Sequence, residues 1–223
     1  MAVLIDPDKF NRELITLANS CNVSYFFVGG SSLKKNNVNS VLSYVKIHSK
    51  IPVVIFPGDE KQLSAKADAV LFLSLLSGRN PDYLIGKQVL AAPFIKKKKI
   101  ECIPTAYILV GGSKKSTTQK VTRTEPLNEK RIAPIVHTAI AGELLGFKTI
   151  YLEAGSGSKT NISSKIIREV KNKTTLPLMV GGGIDTVQKA SKVIKNGATI
   201  VVIGNALEND IYLIKKLSSL FNK

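Results

Sequence analysis

Short apolar runs rich in Val, Ile, Phe and Tyr recur along the whole chain, and this recurrence constrains the fold more than any other feature. Each run is followed by Gly, Ser or Asp and then by a longer segment with helical spacing, which is the pattern of a β/α repeat. The runs are apolar throughout, as expected for parallel strands that are buried on both faces. They predict eight strands, at about residues 2–5, 24–28, 52–56, 69–73, 104–110, 149–152, 177–180 and 199–203.

Helical periodicity falls between these strands, at about residues 8–19, 37–48, 81–94, 128–145, 161–171, 186–195 and 208–221. Eight β/α units within 223 residues favour one α/β domain over residues 1–223, folded as a TIM (β/α)8 barrel. An open, doubly wound sheet is the alternative. Residues 57–68 leave room for barely two helical turns, so we expect the third helix to be shortened or replaced by a non-helical segment.

The formal net charge of +16 suits three kinds of partner: a nucleic acid, an anionic membrane surface or small anionic substrates. The lysines form no single stripe, and the few aromatic residues are not interleaved with them as a stacking surface for nucleic acid requires. We therefore expect no nucleic-acid partner, and a generally solvated basic surface is the simplest explanation of the charge.

The expected location is the cytoplasm. The two cysteines cannot make a disulfide framework, which suggests a reducing compartment. No apolar run approaches the length of a membrane span, and the opening residues 1–6 are too short for a signal peptide.

Two glycine-containing loops follow the last two predicted strands, Gly181 to Gly183 and Gly204 with Asn205. The corresponding loops of TIM barrels commonly bind phosphate, because glycines let the backbone approach an anion and helix N-termini present free N–H groups. Tight turns, with Asp185 as an ordinary N-cap, are the alternative explanation of the glycines.

Two carboxylates stand at strand ends on the same rim of the predicted barrel. Asp6 either caps the helical segment that begins with Pro7 or binds Mg²⁺ together with substrate phosphates, and Ser31 either adds a hydroxyl ligand or completes a turn. Glu153 ends an apolar run and enters a loop of glycines and serines. It is either a general base, since a desolvated carboxylate is a better proton acceptor, or the partner of a lysine in a salt bridge.

Two other segments complete the sequence-based assignment. The polar, basic residues 112–126 form either a mobile cover over the rim or an exposed loop. In the predicted helix 128–145, Ala141 and Gly142 allow close packing against the sheet, and no chemistry is assigned to Glu143.

Nine motifs, in this order, extend over nearly the whole chain: LIDPDK at 4–9, VGGS at 28–31, FPG at 56–58, SLLSGRNPDYLIGKQ at 74–88, PTAYILV at 104–110, AGELLG at 141–146, YLEAGSGS at 151–158, GGGI at 181–184 and GNALE at 204–208. No single motif is specific, but the set resembles the geranylgeranylglyceryl phosphate synthase family, and within it the subgroup that carries LIDP with a lysine three positions after the aspartate, as Lys9 does here.

The resemblance implies an enzyme of ether-lipid biosynthesis, a Mg²⁺-dependent prenyltransferase on a modified TIM barrel whose third helix is replaced. Such an enzyme joins sn-glycerol 1-phosphate to a polyprenyl diphosphate, with geranylgeranyl as the expected chain, and releases diphosphate. A homo-oligomer, dimer or hexamer, is also implied, and the charge favours peripheral contact with an anionic membrane. The alternatives are another phosphate-binding TIM-barrel synthase or isomerase and, outside the enzymes, a basic nucleic-acid-binding protein.

The resemblance also implies roles for individual residues. Asp6 and Ser31 hold Mg²⁺, and Glu153 takes the proton of the attacking hydroxyl. Apolar residues 69–76 and 83–85 are expected to flank a groove for the prenyl tail. Many members have a lysine two positions before the metal-binding aspartate, where this chain has Leu4, so the cation that meets the glycerol phosphate is left unassigned. The implied substrate-binding residues are Tyr151, Gly155, Gly182, Gly183, Gly204, Asn205 and Lys9.

Overall fold

A closed barrel of parallel strands forms the centre of the protein. The computed structural model describes residues 1–35, 38–111 and 116–221. Eight strands follow each other around the barrel, and it closes because β4 pairs with β5; the two-residue β6 adds only to one end of β5. The prediction of an eight-stranded TIM barrel is confirmed. The strands are β1 Ala2–Ile5, β2 Tyr25–Val28, β3 Val53–Ile55, β4 Ala69–Leu75, β5 Glu101–Gly111, β6 Leu127–Asn128, β7 Thr149–Glu153, β8 Leu178–Gly181 and β9 Ile200–Ile203.

Helices surround the barrel and connect consecutive strands. The α-helices are α1 Arg12–Asn19, α2 Val38–His48, α3 Lys87–Lys98, α4 Thr117–Thr122, α5 Ile132–Leu144, α6 Ser164–Lys173, α7 Val187–Lys195, α8 Asn205–Asn209 and α9 Leu213–Ser218. A π-helical turn, Asp82–Gly86, leads directly into α3, and short 3-10 turns lie at Pro7–Lys9, Glu60–Gln62 and Ser219–Phe221. Only the 3-10 turn Glu60–Gln62 lies between β3 and β4, so the expected replacement of the third helix is confirmed.

Two predicted helical segments and one predicted loop differ from the structure. The first α-helix begins at Arg12, not near residue 8, because the Asn11 side chain caps it by accepting the Glu13 N–H at 2.9 Å. The segment 208–221 is broken into α8, α9 and a 3-10 turn, because Asp210 takes an extended conformation at the end of α8. Helix α4 lies inside residues 112–126, which sequence reasoning treated as a loop; residues 112–115 lie outside the described part of the chain.

Apolar side chains form two layers. The larger layer packs between the strands and the surrounding helices. The smaller one fills the barrel interior, and its upper end is aromatic: the rings of Phe56, Tyr107 and Tyr151 contact one another with centroid separations of 5.2 to 6.0 Å. Among the described residues, no helix is long and apolar enough to cross a membrane.

Helix α5 approaches the barrel closely at Gly142, as the sequence suggested. A Cβ atom at this position would lie 2.8 Å from the Ala106 Cβ on β5 and 3.1 Å from a methyl group of Leu76. Because the side chains of Ala106 and Leu76 fill this contact, the interface has no room for a larger residue.

We predict that Gly142→Val lowers the free energy of unfolding by about 1–3 kcal/mol, since the added atoms overpack a buried contact. The matched control is Ala141→Val on the adjacent, exposed position of the same helix, which should change stability by less than about 1 kcal/mol. Urea unfolding of both variants measures the difference. Equal effects of the two substitutions would show that close packing at Gly142 is unimportant.

Candidate active site

One cavity of about 870 Å³ opens at the carboxyl ends of the barrel strands. Asp6 after β1, Ser31 after β2, Glu153 at the end of β7, Gly183 after β8 and Gly204 after β9 all line it. In TIM barrels this end of the strands carries the catalytic groups. The structure therefore brings the predicted acid, metal and phosphate positions to one site.

Glu153 is the buried carboxylate of this site, with only 6% of its surface exposed. Its Oε1 accepts the Gly155 N–H at 2.7 Å, and its carboxylate also accepts a hydrogen bond from the Tyr151 hydroxyl. Burial raises the pKa of Glu153 from 4.5 to about 7, and the two hydrogen bonds offset part of that rise. Among the described residues no lysine forms an ion pair with Glu153, so the salt-bridge explanation has no support there; Lys114 and Lys115 lie outside the described residues.

Two glycines of β8 and its loop leave the space that Glu153 and Tyr151 occupy. A Cβ atom on Gly181 would lie 3.2 Å from Oε2 of Glu153 and would overlap the Tyr151 hydroxyl. A Cβ atom on Gly182 would lie 2.6 Å from Oε1 of Glu153. The glycines after β8 are thus needed to seat the acid and its tyrosine, in addition to any contact with a ligand.

Gly183 forms the tip of the same loop and has a positive φ of +66°. It packs on the backbone of Thr160 and Asn161, which continue the loop after β7. Helix α7 begins after this tip, but its N-cap is Thr186, whose side chain accepts the Lys189 N–H. Asp185 instead forms an ion pair with Lys189 at 2.8 Å, so the expectation that Asp185 is the N-cap is wrong.

Asn205 connects the loop after β7 to helix α8. Its Oδ1 accepts the Gly157 N–H at 3.1 Å, and its Nδ2 donates to Glu208 at 3.1 Å. Lys9 donates to the same Glu208 oxygen at 2.7 Å. Lys9 and Asn205 therefore share an acidic partner on the cavity wall, an arrangement that the sequence did not suggest.

Gly155 is placed differently from the other predicted substrate-binding residues. It is not among the residues that line the cavity in the described part of the chain. Its N–H group is occupied by Glu153, and its backbone has a positive φ of +98°. The direct substrate contact predicted for Gly155 is thus not supported by its position, and its N–H holds the carboxylate in place instead.

Asp6 caps a helical turn, as one of the two alternatives expected, and it also faces the cavity. Its Oδ1 accepts the Asp8 N–H at 2.9 Å and so caps the 3-10 turn Pro7–Lys9, and its side chain also lines the cavity. Burial raises the pKa of Asp6 above its ordinary value, and the nearby charge of Glu208 contributes to the increase. A bound cation would stabilise the ionised form of Asp6.

The neighbourhood of Asp6 fits Mg²⁺ held jointly by protein and substrate. Within residues 1–35, 38–111 and 116–221, no three His, Cys, Asp or Glu side chains form a metal-binding cluster. Asp6 thus belongs to no cluster of three such ligands, and Mg²⁺ usually takes only one or two carboxylates together with substrate phosphates. The Ser31 hydroxyl lies 3.2 Å from Oγ1 of Thr118, so it keeps one hydrogen-bond partner in the cavity wall.

Helix α4 covers part of the cavity. Its carbonyl groups accept hydrogen bonds from the loop after β4: Asn80 Nδ2 donates to Thr122 at 2.9 Å and the Tyr83 hydroxyl donates to Val121 at 3.3 Å. Thr118, on the same helix, forms a hydrogen bond with the buried hydroxyl of Tyr107 on β5. Residues 116–122 are therefore an ordered wall of the site and not an exposed loop.

The remaining wall of the cavity is apolar and lies between β4 and α3. Sequence reasoning expected β4 and residues 83–85 to flank a groove here, and Tyr83 does line it, whereas Ile85 is 60% exposed on the outside. The sequence did not reveal that α3 also lines the groove, because the apolar residues of this helix are not concentrated on one face. The apolar lining residues of β4, the π-helical turn and α3 are Val70, Leu71, Phe72, Leu73, Leu75, Tyr83, Ala91 and Ile95.

A family model described as the PcrB family matches residues 1–220. The chain belongs to the PcrB family. It is similar to the geranylgeranylglyceryl phosphate synthase of Flavobacterium johnsoniae, with 46% identity over 94% of this chain and 88% of that protein. The protein of the same name from Pyrococcus horikoshii is 40% identical over 92% of this chain and 82% of its own length. The resemblance seen in the motifs is thereby confirmed.

This PcrB-family chain is also similar to solved structures. The crystal structure of (S)-3-O-geranylgeranylglyceryl phosphate synthase from Thermoplasma acidophilum in complex with sn-glycerol-1-phosphate has a TM-score of 0.90 and 30% identity, covering 98% of this chain and 91% of that one. A thiamine phosphate pyrophosphorylase from Pyrococcus furiosus has a TM-score of 0.61 with 13% identity over 98% of this chain and 94% of that one, and it shows only the shared fold.

The raised pKa of Glu153 predicts a pH-dependent loss of stability. Between pH 4.5 and about 7 the folded chain keeps a proton that the unfolded chain has released, so the free energy of unfolding falls as the pH rises. The full loss, reached above about pH 7, is about 3 kcal/mol. Urea unfolding at pH 5 and pH 8 should therefore show that Glu153→Gln gains stability relative to the unmodified protein at the higher pH.

The control for this measurement is Glu143→Gln, a partly exposed glutamate that accepts hydrogen bonds from Thr175. Its stability relative to the unmodified protein should not improve between pH 5 and pH 8. If Glu153→Gln differed in stability from the unmodified protein by the same amount at both pH values, burial would not raise the pKa of this carboxylate.

Proposed function

We propose that this protein is a prenyltransferase that forms the ether bond between sn-glycerol 1-phosphate and a polyprenyl diphosphate. One observation carries the proposal: the buried Glu153, the glycine loop ending at Gly183 and the apolar wall beneath α3 all face one cavity. A phosphate-handling isomerase needs the first two features but not an apolar groove. Family membership and the named relatives support the same activity.

Glu153 is suited to accept the proton of the attacking hydroxyl. One of the two free hydroxyls of the glycerol phosphate attacks the allylic carbon that carries the diphosphate; the new C–O bond forms as the bond to diphosphate breaks. Diphosphate leaves with that bond's electron pair, and the hydroxyl proton passes to the Glu153 carboxylate. A carboxylate whose pKa is about 7 is matched to this task near neutral pH. The Gly155 N–H and the Tyr151 hydroxyl hold it in orientation.

The glycerol phosphate is proposed to bind between the loops after β7, β8 and β9. Gly182, Gly183 and Gly204 supply backbone that can approach an anion, beside the N-terminus of α8. Lys159 lines the same part of the cavity, directly before the backbone on which Gly183 packs, and no described acidic residue forms an ion pair with it. We assign to Lys159 the role of the cation that the sequence left open at Leu4.

Mg²⁺ is proposed to be held by Asp6 and Ser31 together with the prenyl diphosphate. The chemistry that Mg²⁺ supplies when bound is neutralisation of the negative charge of the departing diphosphate. Lys34 and Lys35 line the same side of the cavity and add positive charge for the anionic head. The prenyl tail, with geranylgeranyl as the expected chain, would extend along the apolar wall between β4 and α3.

The proposal extends to the setting in which the enzyme works. Its positive charge of +16 would attract both anionic substrates and an anionic membrane surface, so we place the protein in the cytoplasm with peripheral membrane contact. A homo-oligomer, dimer or hexamer, is part of the same proposal.

Glu153→Gln should reduce the rate of ether formation by about 10²–10⁴-fold, because general-base catalysis is removed while the fold is retained. The assay incubates labelled sn-glycerol 1-phosphate, Mg²⁺ and prenyl diphosphates of several lengths and measures the lipid product. With the unmodified protein, the rate should rise with pH through about 7, as Glu153 ionises. Glu143→Gln is the matched control and should keep full activity; no product with any chain length would remove the proposed function.

Asp6→Asn should raise the Mg²⁺ concentration needed for half-maximal activity by at least about tenfold, since one negative oxygen ligand is lost. Asparagine can still accept the Asp8 N–H, so the 3-10 turn is preserved. Titrating Mg²⁺ in the same assay provides the measurement, with Asp210→Asn, on the exposed end of α8, as the control. An unchanged Mg²⁺ requirement in Asp6→Asn would place the metal elsewhere.

A further inference from the structure

The outward side of the π-helical turn and α3 is apolar and exposed. Ile85, Val89 and Leu90 are between 60% and 63% exposed, and Ala92 and Pro93 beside them are exposed as well. We call these five residues the outer α3 face. Large apolar side chains that are exposed together usually mark an interaction site.

The inward side of the same helix lines the cavity. Gln88, Ala91 and Ile95 face the groove, and Lys87, the one charged residue within 83–95, is turned to Asp59 and Glu60 with ion pairs of 2.8 Å. Apolar residues therefore lie on both sides of helix α3, although folding of a water-soluble barrel requires them only on the inner side. A wall only one helix thick separates the proposed prenyl groove from the outer α3 face.

Positive charge is concentrated at one end of this face. Lys96, Lys97, Lys98 and Lys99 follow each other at the C-terminus of α3, and all four are exposed. No described acidic residue forms an ion pair with any of them. An apolar helix face beside a cluster of lysines has the composition of a helix that lies in the interface of an anionic bilayer.

We infer that the outer α3 face docks on an anionic membrane, with α3 parallel to the surface and Lys96 to Lys99 among the lipid headgroups. A second copy of the chain is the less suitable occupant of this face, because a two-fold contact here would bring a second run of exposed lysines against the first. The inference rests on the proposed function for its meaning: a prenyl diphosphate whose tail is in the bilayer would then enter the groove under α3 without crossing water.

The chain contains no tryptophan, so a single introduced one reports on its own surroundings. The test compares Val89→Trp with Leu144→Trp, an exposed leucine at the end of α5, in the full-length protein. Each variant is mixed with vesicles of phosphatidylcholine and phosphatidylglycerol that carry brominated acyl chains. The emission of Val89→Trp should shift to the blue and be quenched, whereas that of Leu144→Trp should change little.

Two further variants separate the contributions of the face and of the lysines. The triple substitution Lys96→Gln, Lys97→Gln, Lys98→Gln should weaken vesicle binding by roughly fivefold per lysine, about a hundredfold in all, and reduce its salt dependence. Leu90→Asp should abolish binding at the same lipid concentration. Because neither change touches a residue that lines the cavity, both variants should keep the activity measured with detergent-dispersed substrate.

The outcomes distinguish the inference from the proposed function. Vesicle binding requires no turnover, so binding without ether synthesis would support the docking surface and contradict only the proposed enzymatic activity. Absence of quenching in Val89→Trp would overturn the docking surface. A blue shift that appears without vesicles and grows with protein concentration would also overturn it, since a second copy would then cover the outer α3 face.

Discussion

The pairing of β4 with β5 is the interaction on which the arrangement of the site depends. It runs over the whole of β4, from Ala69↔Glu101 to Leu75↔Tyr107. Without it, the sheet order would leave β4 and β5 as the two edges of an open sheet, with β1 in between. Closure removes those edges and brings all the strand ends to one rim. The closed sheet surrounds one cavity, which Asp6 lines from the end of β1 and Glu153 from the end of β7.

The chemistry of Glu153 depends on its position between the apolar barrel interior and the polar cavity. Below the carboxylate, the rings of Phe56, Tyr107 and Tyr151 fill the barrel interior. Above it lies the cavity with its glycine loops. The carboxylate is thus dehydrated enough to hold its pKa near 7, yet it retains two hydrogen bonds. A fully solvated glutamate would be a weaker base, and a fully apolar pocket would keep it protonated.

Helix α3 gives the molecule a second apolar surface that folding alone does not require. Its inner residues complete the groove beside β4, and the outer α3 face is exposed to solvent. Replacement of the third helix by a short turn leaves the Glu60–Gln62 segment beside α3, where Lys87 ties the two together through Asp59 and Glu60. The groove, its charged brace and the exposed face are therefore parts of one structural unit at the edge of the site.

The sequence by itself determined the repeating elements and the positions of most chemical groups. Continuous apolar runs such as residues 69–75 identify parallel strands, and a strand end followed by glycine identifies the functional rim, because both depend on local composition. Asp6, Glu153 and Gly183 could be selected in this way. The sequence did not reveal α4, which is polar and lies in a segment without helical contrast, and it assigned Gly155 to the substrate although its N–H serves Glu153.

Only the tertiary structure decided which groups meet and which surfaces stay open. The partnership of Lys9, Glu208 and Asn205 joins residues almost 200 positions apart in sequence, which no local pattern records. Equally, the apolar residues of α3 look alike in sequence, and only the packing against β4 separates those that line the groove from those that face outward. Hydrophobic periodicity reports that a residue is apolar, whereas the closed barrel fixes what each apolar residue contacts.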